Sequence, residues 1–312
     1  MNHLSRLSIV IVSWNVRELL AACLASLPRG PQVIVVDNAS SDGSAEMVRQ
    51  QFPDVLLLAN RENRGFTGGN NDGLKLAAGQ LILFLNPDTV VDSDALPLLV
   101  DYLESHPTVG VVGPQLRYGD GRLQSSRRRF PSLSTALMES TPLAWHWPPA
   151  LNSWAKRYRM EDQPAVRAQE VDWLVGAALL TRREVLDGVG PFDEAYFMYS
   201  EELDWQRRVQ AAGWKIVYLP DAVITHYEGK SSEQAVAARH IRFNRSKVRY
   251  FEKHHGQTAA ATLRLALLAM FAVEWLLEAA KYFLGSQQPM RRSRMNAYGE
   301  LLRTRLRTEM AP

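Results

Sequence analysis

Short apolar runs alternate with helix-period segments over the first 115 residues. Leu7 to Val12 is continuously apolar, as expected of a strand covered on both faces. Arg17 to Leu27 has helical spacing, and Val33 to Val36 forms a second strand ending at Asp37. Ser44 to Gln51 predicts a helix, Val55 to Ala59 a third strand, and Phe66 to Ala78 a helix entered through a glycine-rich loop. Leu81 to Leu85 is a fourth strand, stopped by Asn86-Pro87-Asp88. A helix over Ser93 to Ser105 and a strand over Val109 to Val112 complete the series. This βαβ rhythm predicts an α/β domain with a mostly parallel central sheet flanked by helices.

The rhythm breaks between residues 117 and 170, where Arg127-Arg128-Arg129, a proline-rich stretch and Trp145, Trp147 and Trp154 occur. Order returns over Val171 to Thr181, followed by helices near Arg183 to Asp187 and over Glu201 to Ala212, and a short strand from Ile216 to Leu219. From Ala235 the pattern is helical to about Leu284, with a break near Gly256.

Composition narrows the function classes. The chain has 312 residues, 46% of them hydrophobic and 22% charged, which suits a large folded domain with an appendage. Cys23 is the sole cysteine, so an internal disulfide and a cysteine metal cluster are excluded, and a cytoplasmic location is expected. The first apolar run is too short for a signal peptide. The net charge of +3 is uneven. After Gly285, Arg291, Arg292, Arg294, Arg303, Arg305 and Arg307 outweigh Glu300 and Glu309, so this tail carries +4 and the remainder −1. Basicity confined to a tail argues against nucleic acid as a partner.

Ligands of open parallel sheets bind beyond the carboxyl ends of the strands. Three polar clusters fall there: Ser13-Trp14-Asn15, the loop from Asp37 to Gly43, and Asn86-Pro87-Asp88. The first turn has no glycine, which excludes the phosphate grip of a dinucleotide-binding fold and of a nucleotidyltransferase.

The segments Ile9-Val10-Ile11-Val12-Ser13-Trp14-Asn15, Val35 to Ser44, Glu62 to Asn71, Leu85-Asn86-Pro87-Asp88-Thr89, and Gly190-Pro191-Phe192-Asp193-Glu194 through Asp204 resemble the family 2 glycosyltransferases of the GT-A fold, in their rhamnosyltransferase-like branch. The resemblance spans about residues 7 to 230. It implies a catalytic domain over residues 1–233, with a nucleotide-binding half (1–116) and an acceptor half (117–233), and a helical appendage with a basic tail over 234–312. Ser13, Trp14, Asn15, Asp37, Asn38, Arg64, Gly65, Gly69, Asn70, Asn86, Asp88, Trp173 and Gly176 would then surround a UDP- or dTDP-sugar. Asp37 would accept the imide N–H of the base, a charge-assisted bond; as a bare sequence feature it equally suits a turn. Asp88 and His226 would hold a divalent cation, Mn²⁺ or Mg²⁺, that neutralises the departing diphosphate. Asn86 stands where the family usually has an aspartate, which removes one negative charge.

Glu201, Glu202 and Asp204 open a helix where relatives carry their base. Glu202 is expected to deprotonate the acceptor, Glu201 ranks second, and Asp204 positions the helix. The implied reaction inverts the anomeric carbon and moves a hexose or deoxyhexose, rhamnose among them, to a glycan or polyprenyl-linked acceptor in cell-surface polysaccharide synthesis. The Gln-x-x-Arg-Trp motif of processive synthases is missing. A sugar-nucleotide-binding scaffold without catalysis is the alternative.

Leu265 to Val273 is uncharged, but extending it to Leu284 adds Glu274, Glu278 and Lys281. With Arg264 these fall within an arc of about 100°, into which Leu267 and Phe271 intrude. An amphipathic helix lying on a membrane or against a partner is expected, followed by an arginine-rich tail suited to anionic lipid. Peripheral attachment to the cytoplasmic face of the inner membrane follows.

Overall fold

A computed structural model describes residues 3–140, 149–227, 236–285 and 287–307. Trp145, Trp147, the segment Glu228-Gly229-Lys230-Ser231 after His226, the expected boundary at 233/234 and Glu309 lie outside these residues.

The first half follows the alternation. β1 (Leu7–Ser13), α1 (Arg17–Ser26), β2 (Gln32–Asp37), α2 (Ser44–Gln51), β3 (Leu56–Ala59), α3 (Gly65–Leu76) and β4 (Leu81–Leu85) build a parallel block in the order β3-β2-β1-β4. Every residue of β1 and of β4 is buried, which accounts for their unbroken apolar sequence.

The second half departs from simple alternation. β5 (Thr89–Val91), α4 (Ala95–Ser105) and β6 (Val109–Arg117) follow, but β6 does not pair with β4. Instead β11 (Ala178–Arg182) enters between them, antiparallel to both. The sheet thus continues β4-β11-β6-β12-β5, with β12 (Lys215–His226) parallel to β6 and antiparallel to β5. Sequence pattern shows only Ile216 to Leu219 of β12. The strand then passes a register shift between Leu219 and Val223, at Pro220, and runs on to His226.

Residues 117–170, where the alternation breaks, carry short elements of their own. β7 (Leu123–Gln124) pairs with β6, and β8 (Arg127–Arg128) pairs with β10 (Trp173–Leu174) in a second small sheet. α5 (Leu133–Ser140), α6 (Pro149–Tyr158) and β9 (Gln169–Glu170) complete this stretch. α7 (Arg183–Val189) and α8 (Glu201–Ala211) follow β11, and α9 (Val236–Phe283) and α10 (Gln288–Thr304) end the described chain. Gly256 breaks α9 at φ 87°, ψ 166°, as expected from sequence.

The chain packs as two compact units. The first comprises Met1–Phe130, Arg157–Phe197 and Glu201–Ser231, and carries the sheet. The second comprises Pro131–Lys156, Met198–Ser200 and Ser232–Pro312. Within the second, Ser246 Oγ donates to the Met198 carbonyl (2.9 Å), and the rings of Tyr199 and Phe243 meet edge-on.

The glycines of residues 65–73 form no loop. They lie in α3 and let it settle onto β1 and β2. A Cβ on Gly69 would stand 2.7 Å from Val12 Cγ1, and one on Gly73 would stand 2.4 Å from Val10 Cγ1. Val10 is β-branched and wholly buried, so it cannot swing aside. Gly73→Ala is therefore expected to destabilise the first unit by about 1–3 kcal/mol through overpacking, read as a lower midpoint in chemical denaturation.

Candidate active site

The carboxyl ends of β1 and β2 are stitched together by short polar side chains. Ser13 and Asp37 are register partners. The Asn15 N–H donates to Ser40 Oγ (2.9 Å), and Asn15 Oδ1 accepts from the Ser41 N–H (2.7 Å). Asn15 and Ala39 hold left-handed φ values of 53° and 59°, the sharp bends needed to bring these loops together. Asp37 Oδ2 accepts the Ser40 N–H (3.0 Å). Asp37 Oδ1 and Ser13 Oγ are buried without a partner among the described residues. A buried acceptor left this way costs about 1–3 kcal/mol unless something binds it. Trp14 beside them is half-buried.

Asn38 faces inward. Its Nδ2 donates to the Gly65 carbonyl (2.7 Å) and its Oδ1 accepts from Asn60 Nδ2 (3.0 Å). Gly65 has φ +73°, and a Cβ there would meet the Phe197 carbonyl oxygen at 2.3 Å. Asn70 Nδ2 donates within its own helix to the Phe66 carbonyl (2.9 Å). The Arg64 guanidinium pairs with Asp72 and, at 3.1 Å, with Glu194. Asn71 adds reciprocal bonds, Nδ2 to the Phe192 carbonyl (2.9 Å) and the Phe192 N–H to Oδ1 (3.1 Å). The polar residues of this segment thus clamp α3 onto residues 190–194. Sequence pattern does not single out Asn71, Asp72 and Glu194, because the pairing spans more than a hundred residues.

At the end of β4 the Asn86 N–H donates to the Ala177 carbonyl (2.9 Å). The antiparallel pairing of β5 with β12 sets His226 opposite Thr89, and the Tyr227 N–H donates to the Asp88 carbonyl (2.9 Å). His226 Nε2 comes to 3.3 Å from Asp88 Oδ1 and 3.4 Å from Asn86 Nδ2. The other ring nitrogen, Nδ1, lies 3.1 Å from Gln124 Oε1. That oxygen only accepts, so Nδ1 donates to it and Nε2 is the ring atom that faces Asp88 and Asn86. Asn86 Oδ1 is buried and unpartnered among the described residues. A carboxylate oxygen, an imidazole nitrogen and an orphaned amide oxygen make a donor set that fits a hard divalent cation. No cluster of three His, Cys, Asp or Glu side chains suited to a metal gathers among the described residues. Beneath this turn Cys23 Sγ lies 3.5 Å from Thr89 Oγ1, and burial pushes its thiol up to about 12, so it stays neutral.

The acidic helix α8 begins after two residues at positive φ, Tyr199 (72°) and Ser200 (64°). Glu201 is 4% exposed. Glu201 Oε2 and Glu202 Oε2 are both buried without partners among the described residues. Burial raises both carboxyl groups, and Glu201 goes well above the usual range because the Glu202 charge adds to it. Glu202 is raised less. Backbone N–H groups of Glu202, Leu203 and Gly176 favour its charged form, and so does the Arg128 cation. Like charges this close resist ionising together, so both groups hold a proton more tightly than an exposed acid. A Cβ on Gly176 would come 3.3 Å from Glu202 Cγ. Gly176 therefore supports Glu202 while the next residue, Ala177, anchors Asn86.

Asp204 is placed differently. Its carboxylate is fully buried and accepts from Arg208 Nε (3.1 Å), and Arg208 also donates to the Val189 and Pro191 carbonyls. Gln206, unremarkable in the sequence, bonds both backbone groups of Leu174 (2.8 and 2.7 Å) and ties α8 to β10. Trp173 is 8% exposed, with Nε1 donating to the Arg129 carbonyl (2.9 Å). The arginine run is spent within the protein. Arg127 bonds the Gln163 and Pro164 carbonyls, Arg128 bonds Ser125 Oγ, and Arg129 pairs with Asp162.

The sequence profile described as "Glycosyl transferase family 2" matches residues 8–190, more than half of the chain. The chain belongs to that family. It is a glycosyltransferase. A profile for glycosyl transferase family 21 also matches residues 163–290. Among curated relatives is an N-acetylglucosaminyl-diphospho-decaprenol L-rhamnosyltransferase of Mycobacterium tuberculosis, 32% identical over 86% of this chain and 91% of that protein. Another is the rhamnosyltransferase WbbL of Escherichia coli, 28% identical over 70% of this chain and 82% of that protein. A solved mannosyltransferase of Pyrobaculum calidifontis, in complex with GDP-Man and Mn²⁺, superposes with a TM-score of 0.56 at 20% identity. The match covers 95% of this chain and 85% of that one, and shows the shared fold.

The buried acid pair sets a pH dependence. Carboxyl groups raised in the folded state bind protons more tightly there than in the unfolded chain, so this pair costs stability at neutral pH. That cost is relieved as pH falls from above the raised values toward the ordinary carboxylate range. Glu201→Gln is expected to raise the melting temperature of the ligand-free protein near pH 7 and to flatten its rise on mild acidification. Thermal melts across pH 5 to 8 check this.

Proposed function

We propose that the chain is an inverting, non-processive sugar transferase that moves a hexose or deoxyhexose from a UDP- or dTDP-sugar to a polyprenyl-linked or glycan acceptor. L-Rhamnose is the first sugar to try, by analogy with the names of the two rhamnosyltransferase relatives. The reading rests chiefly on one juxtaposition. Residues 176 and 177 join a buried acid pair to the Asn86–Asp88–His226 cluster, in which Asn86 Oδ1 is an unsatisfied acceptor.

Asp37 Oδ1 accepts the imide N–H of the base, and Ser13, Trp14 and Asn15 line that end of the donor. Asp88 and His226, with Asn86 beside them, would hold Mn²⁺ or Mg²⁺, which supplies neutralisation of the leaving diphosphate. Glu202 accepts the acceptor hydroxyl proton as that oxygen bonds to the anomeric carbon. The bond from that carbon to the diphosphate oxygen breaks on the opposite face, and the nucleoside diphosphate leaves with the electron pair. Glu201 stays protonated and keeps a second charge out of the site. Asp204 positions α8 through Arg208. Arg64, Asn71 and Asp72 hold the donor side rigid. The setting is cell-surface polysaccharide synthesis at the cytoplasmic face of the inner membrane.

A donor screen that follows nucleoside diphosphate release, with polyprenyl-diphosphate-linked N-acetylglucosamine as acceptor, tests the assignment. Release with a UDP- or dTDP-sugar that depends on acceptor supports it, and no turnover with any such donor sinks it. Glu202→Gln is expected to keep donor binding by calorimetry and to lose about 10²-fold or more in kcat. Glu201→Gln, which mimics the neutral acid, should stay within a few fold of wild type; the opposite pattern swaps the two roles. EDTA should abolish transfer and Mn²⁺ or Mg²⁺ restore it, whereas full activity in chelator removes the metal from the scheme.

A further inference from the structure

The part of α9 after Gly256 is apolar on two sides, and only one of them is packed: Leu263, Leu267 and Phe271 are buried. At about 100° per residue, Leu265, Ala269, Val273, Leu276, Ala280 and Phe283 share one face. That face is turned to solvent, with Leu265 68%, Leu276 61% and Phe283 82% exposed. Of the charged arc, Glu278 is turned inward, Arg264 and Glu274 are half-buried and Lys281 is exposed. Glu278 lies 3% exposed on the side that packs against α10, between both Nη1–O contacts of Arg291 (2.8 Å each) and Arg294 (3.4 Å). Phe271 and Tyr298 rings meet at 5.7 Å on the same side. Burial alone would raise the Glu278 carboxyl, but the two arginines hold it below its ordinary range. The expected free arginine tail is thus a helix, and two of its cations serve the hairpin.

A water-facing helix buries its apolar stripe and exposes its charges. This one buries one apolar stripe and leaves a second in water, over a helix whose most apolar window has mean hydropathy 1.7 and is 22% buried, so it is no core helix. Its partner α10 is polar on the outside. Arg292, Ser293, Asn296, Glu300 and Arg303 are exposed there. The hairpin is a slab with an apolar layer and a polar layer. A hairpin crossing a bilayer would drag the charged outer face of α10 into hydrocarbon, where its polar groups find no partners. Lying in the plane, the slab sinks α9 among the acyl chains and keeps α10 at headgroup level. Arg292, Arg303, Arg305 and Arg307 are exposed and form no ion pair among the described residues, which favours an anionic surface.

We propose that the hairpin of α9 and α10 docks the protein on an anionic phospholipid bilayer, α9 immersed by the face bearing Leu265 and Leu276, and α10 at the headgroups. The proposal deepens the polyprenyl-linked acceptor reading, but it is tested without turnover, so either can fail alone. Full-length protein is floated with phosphatidylcholine vesicles with and without phosphatidylglycerol. Flotation is expected with phosphatidylglycerol, about tenfold weaker without it or in about 1 M salt. Leu276→Asp and Leu265→Asp should each weaken binding about tenfold or more, with melting temperatures unchanged because both side chains are already solvent-exposed. No flotation, equal binding to both vesicle types, or undiminished binding by both variants overturns the proposal. A concentration-dependent dimer in sedimentation velocity that Leu276→Asp dissociates, with no vesicle binding, also overturns it and assigns the face to a second copy of the chain.

Discussion

The close seating of α3 on β1 and β2 governs the rest of the first unit. Gly69 and Gly73 leave no room for a side chain against Val12 and Val10, so the helix axis lies nearer the sheet than a side chain would permit. From that position Asn71 and the Arg64–Asp72 pair reach residues 190–194 on the far side of the sequence. The same approach brings the Gly65 carbonyl to Asn38 at the end of β2. One packing constraint therefore orients the loop after β2 and the segment leading to α8, the two places where the proposed base-recognition and proton-transfer groups stand.

Around this rigid frame, polar atoms stay unsatisfied where a ligand is expected. Asp37 Oδ1, Ser13 Oγ, Asn86 Oδ1 and one oxygen each of Glu201 and Glu202 are buried without partners among the described residues. Other buried atoms, Thr67 Oγ1 and Ser126 Oγ among them, are orphaned too, while Gln206 closes both backbone groups of Leu174 and Arg127 caps two carbonyls. The orphans of Ser13, Asp37 and Asn86 stand apart in lying at the carboxyl ends of parallel strands, where sheets of this architecture bind their ligands.

In the second unit one acid of α9 is buried between its two helices. Burying Glu278 is tolerable because Arg291 and Arg294 meet it inside the hairpin. The face of α9 that bears Leu265, Val273, Leu276 and Phe283 is left in water with apolar side chains to present, while Lys281 is exposed elsewhere on the same helix.

Much of this was legible in the sequence. Period-two and period-3.6 patterning reports which faces are covered, so β1 to β4 and the helices between them could be read locally, as could the break at Gly256. The strand-end polar clusters were visible because a parallel α/β sheet places its sites there. Tertiary structure alone decided the rest. The insertion of β11 between β4 and β6, the extension of β12 through Pro220 to His226, and the meeting of Gln124 with His226 depend on pairings between residues far apart in the chain. Side-chain identity did not tell which charges brace the fold: the partners of Arg64 and of the run Arg127 to Arg129 lie far along the chain and are set by packing. Periodicity likewise determined that α9 has two faces. It left open which one faces water, because an apolar stripe on a helix is inside or outside only relative to a neighbour, and that neighbour, α10, is set by packing.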